Sequence, residues 1–506
     1  MSKQIDLTTG HITDKLIKLA MPIMGVSFVQ TAYNLIDMIW IGKAGSAALA
    51  AVGTAGFFTW LAEAFYMLPR LGASIRVAQS VGQKDYKKTK DYIVSALQMM
   101  IALALFYGLV LLVFNKPLVE FFALGDESIN QMARTYLITI GIGLVFYFSG
   151  PVFTGIFTGL GDSKTPFIIN TIGLLVNIAL DPILIFGVGN FEGLGVLGAA
   201  LATVTAQIIV TLIFIGVIFK RKLDYLSINI LKCPKWSLIK DMIVLGLPGA
   251  IQSALYTMIS MVIGRIVASW GPVPIAAQKV GSQVEAISWM TAGGFSTAIS
   301  TYVGQNYGAN KYERIGKGVK VTVLLAMGVG AVATLLLTLC PEFLMRIFVS
   351  EVDTIEVGKQ YLLILGYSQI FMCLEITMIG AFSGLGRTYL PNALVIIFTA
   401  LRIPMAILLS SQLGLNGVWW SISLSSIAKG TLLIGIYIIL SKANKLFKEK
   451  QIERIDKEKI IANKGLHTYT PFMNLNLYLS NVFLNKCLDI YIKKFDFKYT
   501  IIKQIE

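Results

Sequence analysis

Charged side chains inside long apolar stretches are the residues of this sequence best suited to chemistry. A charge is costly within the hydrocarbon of a bilayer, so such residues usually face the interior of a helix bundle or a water-filled cavity. The residues of this kind are Asp37, Glu63, Asp181, Lys279, Glu285, Glu375, Arg402 and Lys429. They are candidates for binding ions or charged ligands.

Two of these carboxylates, Asp37 and Asp181, are predicted to lie at similar depth. At 1.5 Å per residue along a helix that starts near Pro166, Asp181 lies about 22 Å and Asn177 about 16 Å along it. These two share one helix face because they are four residues apart. Asp37 falls near the end of the first helix and Thr203 near the start of the sixth. We expect the four side chains to meet in the amino-terminal half.

Carboxylate, amide and hydroxyl oxygens are the ligands that suit a hard cation such as Na⁺, and the same set suits a proton. Two neighbouring carboxylates in a low-dielectric site cannot both stay charged cheaply, which favours an exchangeable positive ion beside them. The alternative is structural: Asp181 caps backbone near Pro182, and Asp37 bonds a neighbouring helix.

The carboxy-terminal half offers a second set of candidates for a substrate cleft. Glu375 and Arg402 lie at similar distances from the turn between their helices, so we predict that they pair, since an unpaired buried charge is strongly destabilising. Glu285, with Trp289 one turn further on, is expected to line the same cleft and attract cationic compounds. Lys279 could instead neutralise Glu285. For each residue the alternative is a purely structural pair or a side chain that snorkels toward the membrane surface.

The composition predicts a membrane protein. Of the 506 residues, 55% are hydrophobic and 14% are charged, whereas soluble proteins carry roughly 25% charged residues. Apolar runs of about 20 residues, long enough to cross a bilayer as helices, recur along the chain. They predict an all-α polytopic membrane protein with twelve transmembrane helices, at residues 16–42, 47–80, 92–114, 135–159, 166–187, 195–219, 239–269, 274–303, 318–340, 360–385, 390–412 and 415–440.

Basic residues of the loops fall mostly on one side of the predicted membrane. This asymmetry predicts that both termini are cytoplasmic. No cleavable signal peptide is visible before the first span, so we expect a multi-pass protein of the cell (inner) membrane. The same distribution accounts for the formal charge of +15 without nucleic acid, because the basic residues form no single patch.

An internal repeat relates the two halves. Pro22 matches Pro248, and Gln79 matches Gln305, at the same offset of 226 positions. Six spans in each half give both halves the same orientation, which predicts two parallel six-helix lobes with a central cleft. The predicted parts are an amino-terminal lobe, a cytoplasmic linker, a carboxy-terminal lobe and a basic, poorly ordered cytoplasmic tail, at residues 1–220, 221–238, 239–441 and 442–506.

Other chemistries find little support in the sequence. The four cysteines and two histidines have no metal-like spacing. Residues 193–198 fit the G-x-G-x-x-G pattern but follow a membrane helix rather than a strand, so we expect no nucleotide there. We find neither a P-loop nor a nucleophile–base set, and therefore predict no enzyme and no cofactor beyond Na⁺ or H⁺ as coupling ion.

Several motifs in series resemble the multidrug and toxic compound extrusion (MATE) family. The resemblance covers roughly residues 7–445. The motifs are Pro22 and residues 33–37, 159–162, 177–182, 198–203, 276–278 and 303–306. The resemblance implies that Asp37, Asn177 and Asp181 bind the coupling cation and that Thr203 assists. It also implies that the first helix bends around Pro22 as the ion state changes.

This sequence departs from the family at one point. Some relatives add an Asn from the fourth helix, which residues 135–161 lack, and Ser149 or Thr154 is the available substitute. With the resemblance, the residues predict a secondary active antiporter. It would export hydrophobic, often cationic, small molecules in exchange for Na⁺ or H⁺, as a monomer in the bilayer that binds no nucleic acid. The alternative is a lipid-linked oligosaccharide flippase of the same superfamily, whose members tend to add two helices and cavity arginines or lysines.

Overall fold

The computed structural model describes residues 5–122, 126–189, 191–221 and 233–442, and nearly all of them are helical. A two-stranded hairpin, β1 (Gly187–Val188) with β2 (Phe191–Glu192), is the one sheet in this described part. The predicted tail from residue 443 onward and most of the predicted linker lie outside the described residues. The helices are α1 (Ile12–Lys43), α2 (Ser46–Gly82), α3 (Tyr86–Glu120), α4 (Glu127–Ile142), α5 (Leu144–Gly159), α6 (Lys164–Phe186), α7 (Val196–Arg221), α8 (Trp236–Ala268), α9 (Pro272–Gly308), α10 (Tyr312–Leu339), α11 (Pro341–Arg346), α12 (Val352–Gly366), α13 (Gln369–Gly384), α14 (Tyr389–Ala400), α15 (Arg402–Leu413) and α16 (Leu415–Lys442).

The helices account for the twelve predicted spans. Within the described residues, nine segments are long and apolar enough to cross a membrane alone, counting Tyr389–Leu413 as one, and two bent helix pairs pass the same test together. The remaining long helix, α9, has 37 residues, but its polar side chains keep it out of that count. The fold is all-α and polytopic, as predicted.

Two predicted spans are not single straight helices. The span over residues 135–159 is bent by 56° between α4 and α5, and the span over 360–385 is bent by 53° between α12 and α13. At the first bend, a Cβ on Gly143 would lie 2.6 Å from the Val204 side chain, so α7 packs directly against the backbone there. A tertiary contact that the local sequence does not record thus lies at this bend.

The predicted span over 390–412 is likewise interrupted, at Leu401 between α14 and α15. Pro404 has no N–H to donate to the carbonyl of Ala400, and its ring crowds the preceding turn, so the break follows from proline chemistry. The break places Arg402 at the first position of α15.

Helices α1 and α7 both approach α6 closely in the amino-terminal half. A Cβ on Gly25 would lie 2.5 Å from the ring of Phe167, and a Cβ on Gly198 would lie 2.1 Å from the carbonyl oxygen of Leu184. Only glycine permits such contacts, because any side chain would overlap the neighbouring helix. Side chains of α1, α6 and α7 that point inward are thereby brought together.

The repeated motifs of the two halves meet reciprocally at one end of the bundle, the end at which α1 begins, here called the amino-terminal face. Gln79 Nε2 donates to the carbonyl of Gly384 at 2.9 Å, and Gln305 Nε2 donates to the carbonyl of Gly159 at 3.2 Å. A Cβ on Gly82 would lie 1.9 Å from the carbonyl oxygen of Gln305. The two halves are thus closed against each other at this face.

Residues 5–10 cross this closed face and bond to both halves. The amide of Ile5 donates to the carbonyl of Gly161, and the amide of Leu7 donates to Gln305 Oε1 at 3.3 Å. Arg314 donates to the carbonyls of Leu7, Thr9 and Gly10. The segment satisfies polar groups at the ends of helices from each half and adds to the closure.

Candidate functional site

The amino-terminal half brings the predicted cation-coupling residues together. Asp37 lies on α1, Asn177 and Asp181 on α6, and Thr203 on α7. Asn177 and Asp181 are fully buried and Thr203 is nearly so. Asn177 Nδ2 donates to Asp181 Oδ1 at 3.1 Å, as their four-residue spacing predicts. Asp37 lies close enough to Asp181 for the two charges to repel each other.

Four oxygens of this cluster are buried without a hydrogen-bond partner of standard geometry among the described residues. They are Asp37 Oδ1, Asn177 Oδ1, Asp181 Oδ2 and Thr203 Oγ1. Buried polar atoms are normally paired, so several unpaired acceptors in one place indicate a site for a group not supplied by the protein. Among the described residues, neither carboxylate forms a salt bridge with Lys, Arg or His. The site is therefore acidic and lined by oxygen.

The structural alternative for Asp181 finds no support in its contacts. Asp181 precedes Pro182 within a continuous α6, and its hydrogen bond within the described part runs to the Asn177 side chain rather than to backbone. A carboxylate placed only to cap the backbone would accept backbone N–H groups. The geometry leaves the second carboxylate oxygen open.

Tyrosines that were not predicted from the sequence surround the cluster. Tyr33, one turn before Asp37 on α1, adjoins Thr203 and lies within electrostatic range of both carboxylates. Tyr136 and Tyr147 lie within range of Asp37 as well. The signal for Tyr33 was its four-residue spacing from Asp37. Phenolic O–H groups supply donors that can turn toward a carboxylate or away from a bound cation.

Glu285, predicted to line a substrate cleft, is instead buried among donors. Tyr361 Oη donates to one carboxylate oxygen at 2.8 Å, and Gln369 Nε2 donates to the other at 2.6 Å. Ser288 in turn donates to Gln369 Oε1. Trp289 is 47% exposed and lies outside this network. Lys279 is exposed and makes no ion pair with Glu285 within the described part of the chain.

The predicted pair of Glu375 and Arg402 is wrong. Glu375 on α13 pairs with Lys429 on α16 at 2.8 Å, and both side chains are buried. Arg402 donates to the hydroxyls of Ser425 at 2.6 Å and Ser426 at 3.2 Å. After the helix break at Leu401, the Arg402 side chain bonds to α16. The similar depth of Arg402 and Glu375 in the membrane was therefore not enough to pair them.

Comparison with known proteins identifies the family to which this architecture belongs. The profile of the MatE family matches residues 22–183 and again residues 248–408. The chain belongs to the MATE family. The two matched segments begin at positions separated by the 226-residue offset of the internal repeat. As a member of a family of transport proteins, this MATE protein is not an enzyme.

Curated relatives cover most of the chain. A probable multidrug resistance protein NorM of Thermotoga maritima is 30% identical over 435 residues, which are 85% of this chain and 92% of that protein. Probable multidrug resistance protein YpnP of Bacillus subtilis is 27% identical, over 88% of this chain and all of that protein. Multidrug export protein MepA of Staphylococcus haemolyticus is 23% identical, over 87% of this chain and 96% of that protein.

Solved structures share the fold of this MATE protein. A MATE protein crystallised in the straight conformation matches with a TM-score of 0.80 at 22% identity, over 88% of this chain and all of that one. A transporter of the MOP superfamily from Pyrococcus furiosus, described as having a binding pocket of reversed polarity, matches with a TM-score of 0.77 at 22% identity, over 88% of this chain and 99% of that one. Likeness at this identity establishes the fold alone.

Proposed function

We propose that this MATE protein is a secondary active antiporter that exports hydrophobic, often cationic, small molecules in exchange for Na⁺ or H⁺. The multidrug names of the relatives support the export of drug-like compounds and do not favour the flippase alternative. The cluster of Asp37, Asn177, Asp181 and Thr203 supports cation exchange. The observation that carries the proposal is its four unpartnered buried oxygens.

The cluster suits a small cation that enters and leaves. Without a cation, two carboxylates repel each other in a poorly solvated site, and the four oxygens lack partners. A proton removes one charge, and a sodium ion gives the oxygens a common ligand. In either case the bound state is stabilised by interactions that the empty state lacks, without a permanent basic partner to hold the carboxylates.

Exchange requires that the cation and the drug favour different arrangements of the two lobes. A ligand shifts a conformational equilibrium only by its difference in affinity for the two states. Helix α1 carries Asp37 near one end and Pro22 near the other, and a proline removes one backbone hydrogen bond and weakens the helix there. We propose that cation binding at Asp37 changes the bend at Pro22 and lowers the affinity for the drug.

The orientation follows from the loop charges. The amino-terminal face carries the basic loop residues, so we propose that it faces the cytoplasm of a cell whose inner membrane holds the protein as a monomer. In that orientation the lobes are closed toward the cytoplasm, and the Asp37 cluster lies in the outer half of the membrane, where an inward cation gradient can reach it.

The test is drug efflux from proteoliposomes under a sodium gradient and, separately, under a pH gradient. Ethidium is the probe. Asp37→Asn removes the charge while keeping the side-chain size, and should lower cation-driven efflux at least roughly a hundredfold, since the coupling ion loses a ligand that it needs in every cycle. Whichever gradient drives the wild-type protein identifies the coupling ion.

The matched control is Asp353→Asn, which changes an exposed carboxylate at the start of α12. This variant should transport like the wild type. Full cation-driven efflux by Asp37→Asn, at equal incorporation, is the result that rejects the proposed role of the cluster.

A further inference from the structure

A membrane-embedded arginine outside the cation site has no salt-bridge or hydrogen-bond partner among the described residues. Arg70 lies on α2, twelve residues before its end at Gly82 and so about 18 Å from the amino-terminal face. Within the described residues it makes no salt bridge and no hydrogen bond. By contrast, the buried basic residues Arg402 and Lys429 are each bonded to protein oxygens. An uncompensated guanidinium at this depth needs water or an external anion beside it.

Arg70 lines a cavity of about 80 Å³ between α1, α2, α5, α6 and α9. Sites that enclose a whole small molecule have volumes of roughly 300–1,000 Å³, so this cavity suits one group of a ligand, such as a carboxylate, rather than the whole ligand. Arg70 is the one charged residue of the lining, and no Asp or Glu lines the cavity within the described residues. The cavity therefore has the opposite polarity from the Asp37 cluster.

Uncommitted polar groups accompany Arg70 in the lining. Gln30, Ser74 and Thr158 face the cavity, and none of the three side chains has a hydrogen bond within the described part of the molecule. Amide and hydroxyl groups can donate to the oxygens of a bound anionic group beside the guanidinium. The lining thus combines one positive charge with donors that have no hydrogen-bond partner among the described residues.

Tight helix packing holds Arg70 at this place. A Cβ on Gly155 of α5 would lie 2.7 Å from the carbonyl oxygen of Arg70 and 3.1 Å from its Cγ, so the backbone of α5 lies directly against the stem of the arginine. The packed backbone of α5 therefore holds the backbone and the first side-chain carbons of Arg70 in place. The planar donor fork of a guanidinium suits bidentate binding of a carboxylate.

We propose that Arg70 is a subsite for the carboxylate of zwitterionic substrates, which carry both an acid group and a cationic or aromatic part. This inference rests on the antiporter function proposed above and names a class of substrate for it. Gln30 of the lining lies seven residues before Asp37 on the same face of α1, about 10 Å along the helix axis. Substrate at Arg70 and cation at Asp37 therefore act on one helix, through which their binding can be coupled.

The test uses a matched pair of dyes in proteoliposomes of phosphatidylcholine. Tetramethylrhodamine carries a carboxylate and a delocalised cation, and its methyl ester is the same molecule without the negative charge. Arg70→Gln should raise the KM for the acid roughly tenfold or more and leave the KM for the ester unchanged, since one charge-assisted hydrogen-bonded pair is lost. Arg70→Lys, which keeps the charge, should recover part of the affinity for the acid.

The matched control is Arg265→Gln, which changes an exposed arginine near the end of α8 and should affect neither dye. Equal loss of transport for acid and ester in Arg70→Gln would assign Arg70 a structural role and overturn the subsite. Unchanged KM values for both dyes would overturn it as well.

A lipid phosphate has the same chemistry as the dye carboxylate, so the experiment is repeated with phosphatidylglycerol added to the vesicles. Inhibition of wild-type transport by this lipid, relieved by Arg70→Gln for both dyes, would identify a headgroup as the occupant and contradict the substrate assignment. Ester export that depends on Asp37, without discrimination of the acid by Arg70, overturns the subsite alone. Failure of the wild type to export the ester under either gradient overturns the antiporter as well.

Discussion

The two halves of this protein share one repeat and bury their carboxylates in opposite ways. In the amino-terminal half, Asp37 and Asp181 have no basic partner within the described chain, and their open oxygens remain unpaired. In the carboxy-terminal half, Glu375 pairs with Lys429, and Glu285 accepts two hydrogen bonds. Among the described residues, the amino-terminal carboxylates lack a basic partner, whereas Glu375 has a basic partner and Glu285 has two neutral donors. Glu375 Oε2 is also without a hydrogen-bond partner there, so the basic partner is what distinguishes the two halves.

This difference shows that the position of a buried charge inside a membrane helix does not by itself indicate a functional site. Buried charges of both halves lie inside membrane-spanning helices, and by sequence alone each is a candidate site. Pairing distinguishes them, because a carboxylate with a permanent lysine or two donors gains little from an exchangeable cation. We therefore expect substitutions in the carboxy-terminal half to change stability and those in the amino-terminal half to change coupling.

The largest effect on stability is expected at Lys429. Lys429→Met leaves Glu375 buried without its partner, and removal of one member of a buried pair costs about 3–5 kcal/mol. Thermal unfolding in detergent measures this loss. The double variant Lys429→Met/Glu375→Leu should regain most of it, because no buried charge then remains. A double variant as unstable as the single one would show that the pair is not the cause.

A smaller effect is expected at Glu285, and it sharpens the comparison with Asp181. Glu285→Gln replaces one acceptor with an NH₂ group that faces existing donors, at a cost of about 1.5–3 kcal/mol. Asp181→Asn removes charge repulsion and should leave the free energy of unfolding unchanged or higher. The same unfolding assay compares the two variants. Equal destabilisation would contradict the proposal that Glu285 is a structural residue and Asp181 a coupling residue.

The smallest effect is expected at Arg402. Arg402→Gln keeps a donor for Ser425 or Ser426, so it should cost about 1 kcal/mol. The pair of Arg402 with Glu375 that the sequence predicts would instead make this variant as damaging as Lys429→Met. Side-by-side unfolding of the two variants therefore decides between the predicted pair and the observed one.

The sequence could predict some of these arrangements and not others, for physical reasons. Depth along a helix follows from residue number, and the spacing of Asn177 and Asp181 fixes a shared face. Those two facts sufficed for the four-residue cluster. The partner of Glu375 depends on the rotation of α13 against α16, which no local spacing records. The depth of a residue along its helix could therefore be predicted from the sequence. The direction in which its side chain points around the helix could not.

The 56° bend at Gly143 and the cavity around Arg70 were likewise not predictable from the local sequence. Gly143 is an ordinary small residue of a membrane helix until Val204 of α7 packs against it. Arg70 lies next to Pro69 within a predicted apolar span, and its charge was visible in the sequence. Its lack of a partner and the open space around it were not visible. Those properties belong to the assembled bundle.

The central claim is that the amino-terminal carboxylates exchange a cation against the drug, and displacement at equilibrium tests it most directly. Purified protein in detergent is titrated with ethidium while bound radioactive sodium and the release of protons into a weak buffer are measured. We predict that the wild type and Glu285→Gln release sodium or protons as the drug binds. The double variant Asp37→Asn/Asp181→Asn should bind the drug and release neither. Undiminished release from that double variant, or loss of release in Glu285→Gln instead, would contradict the account.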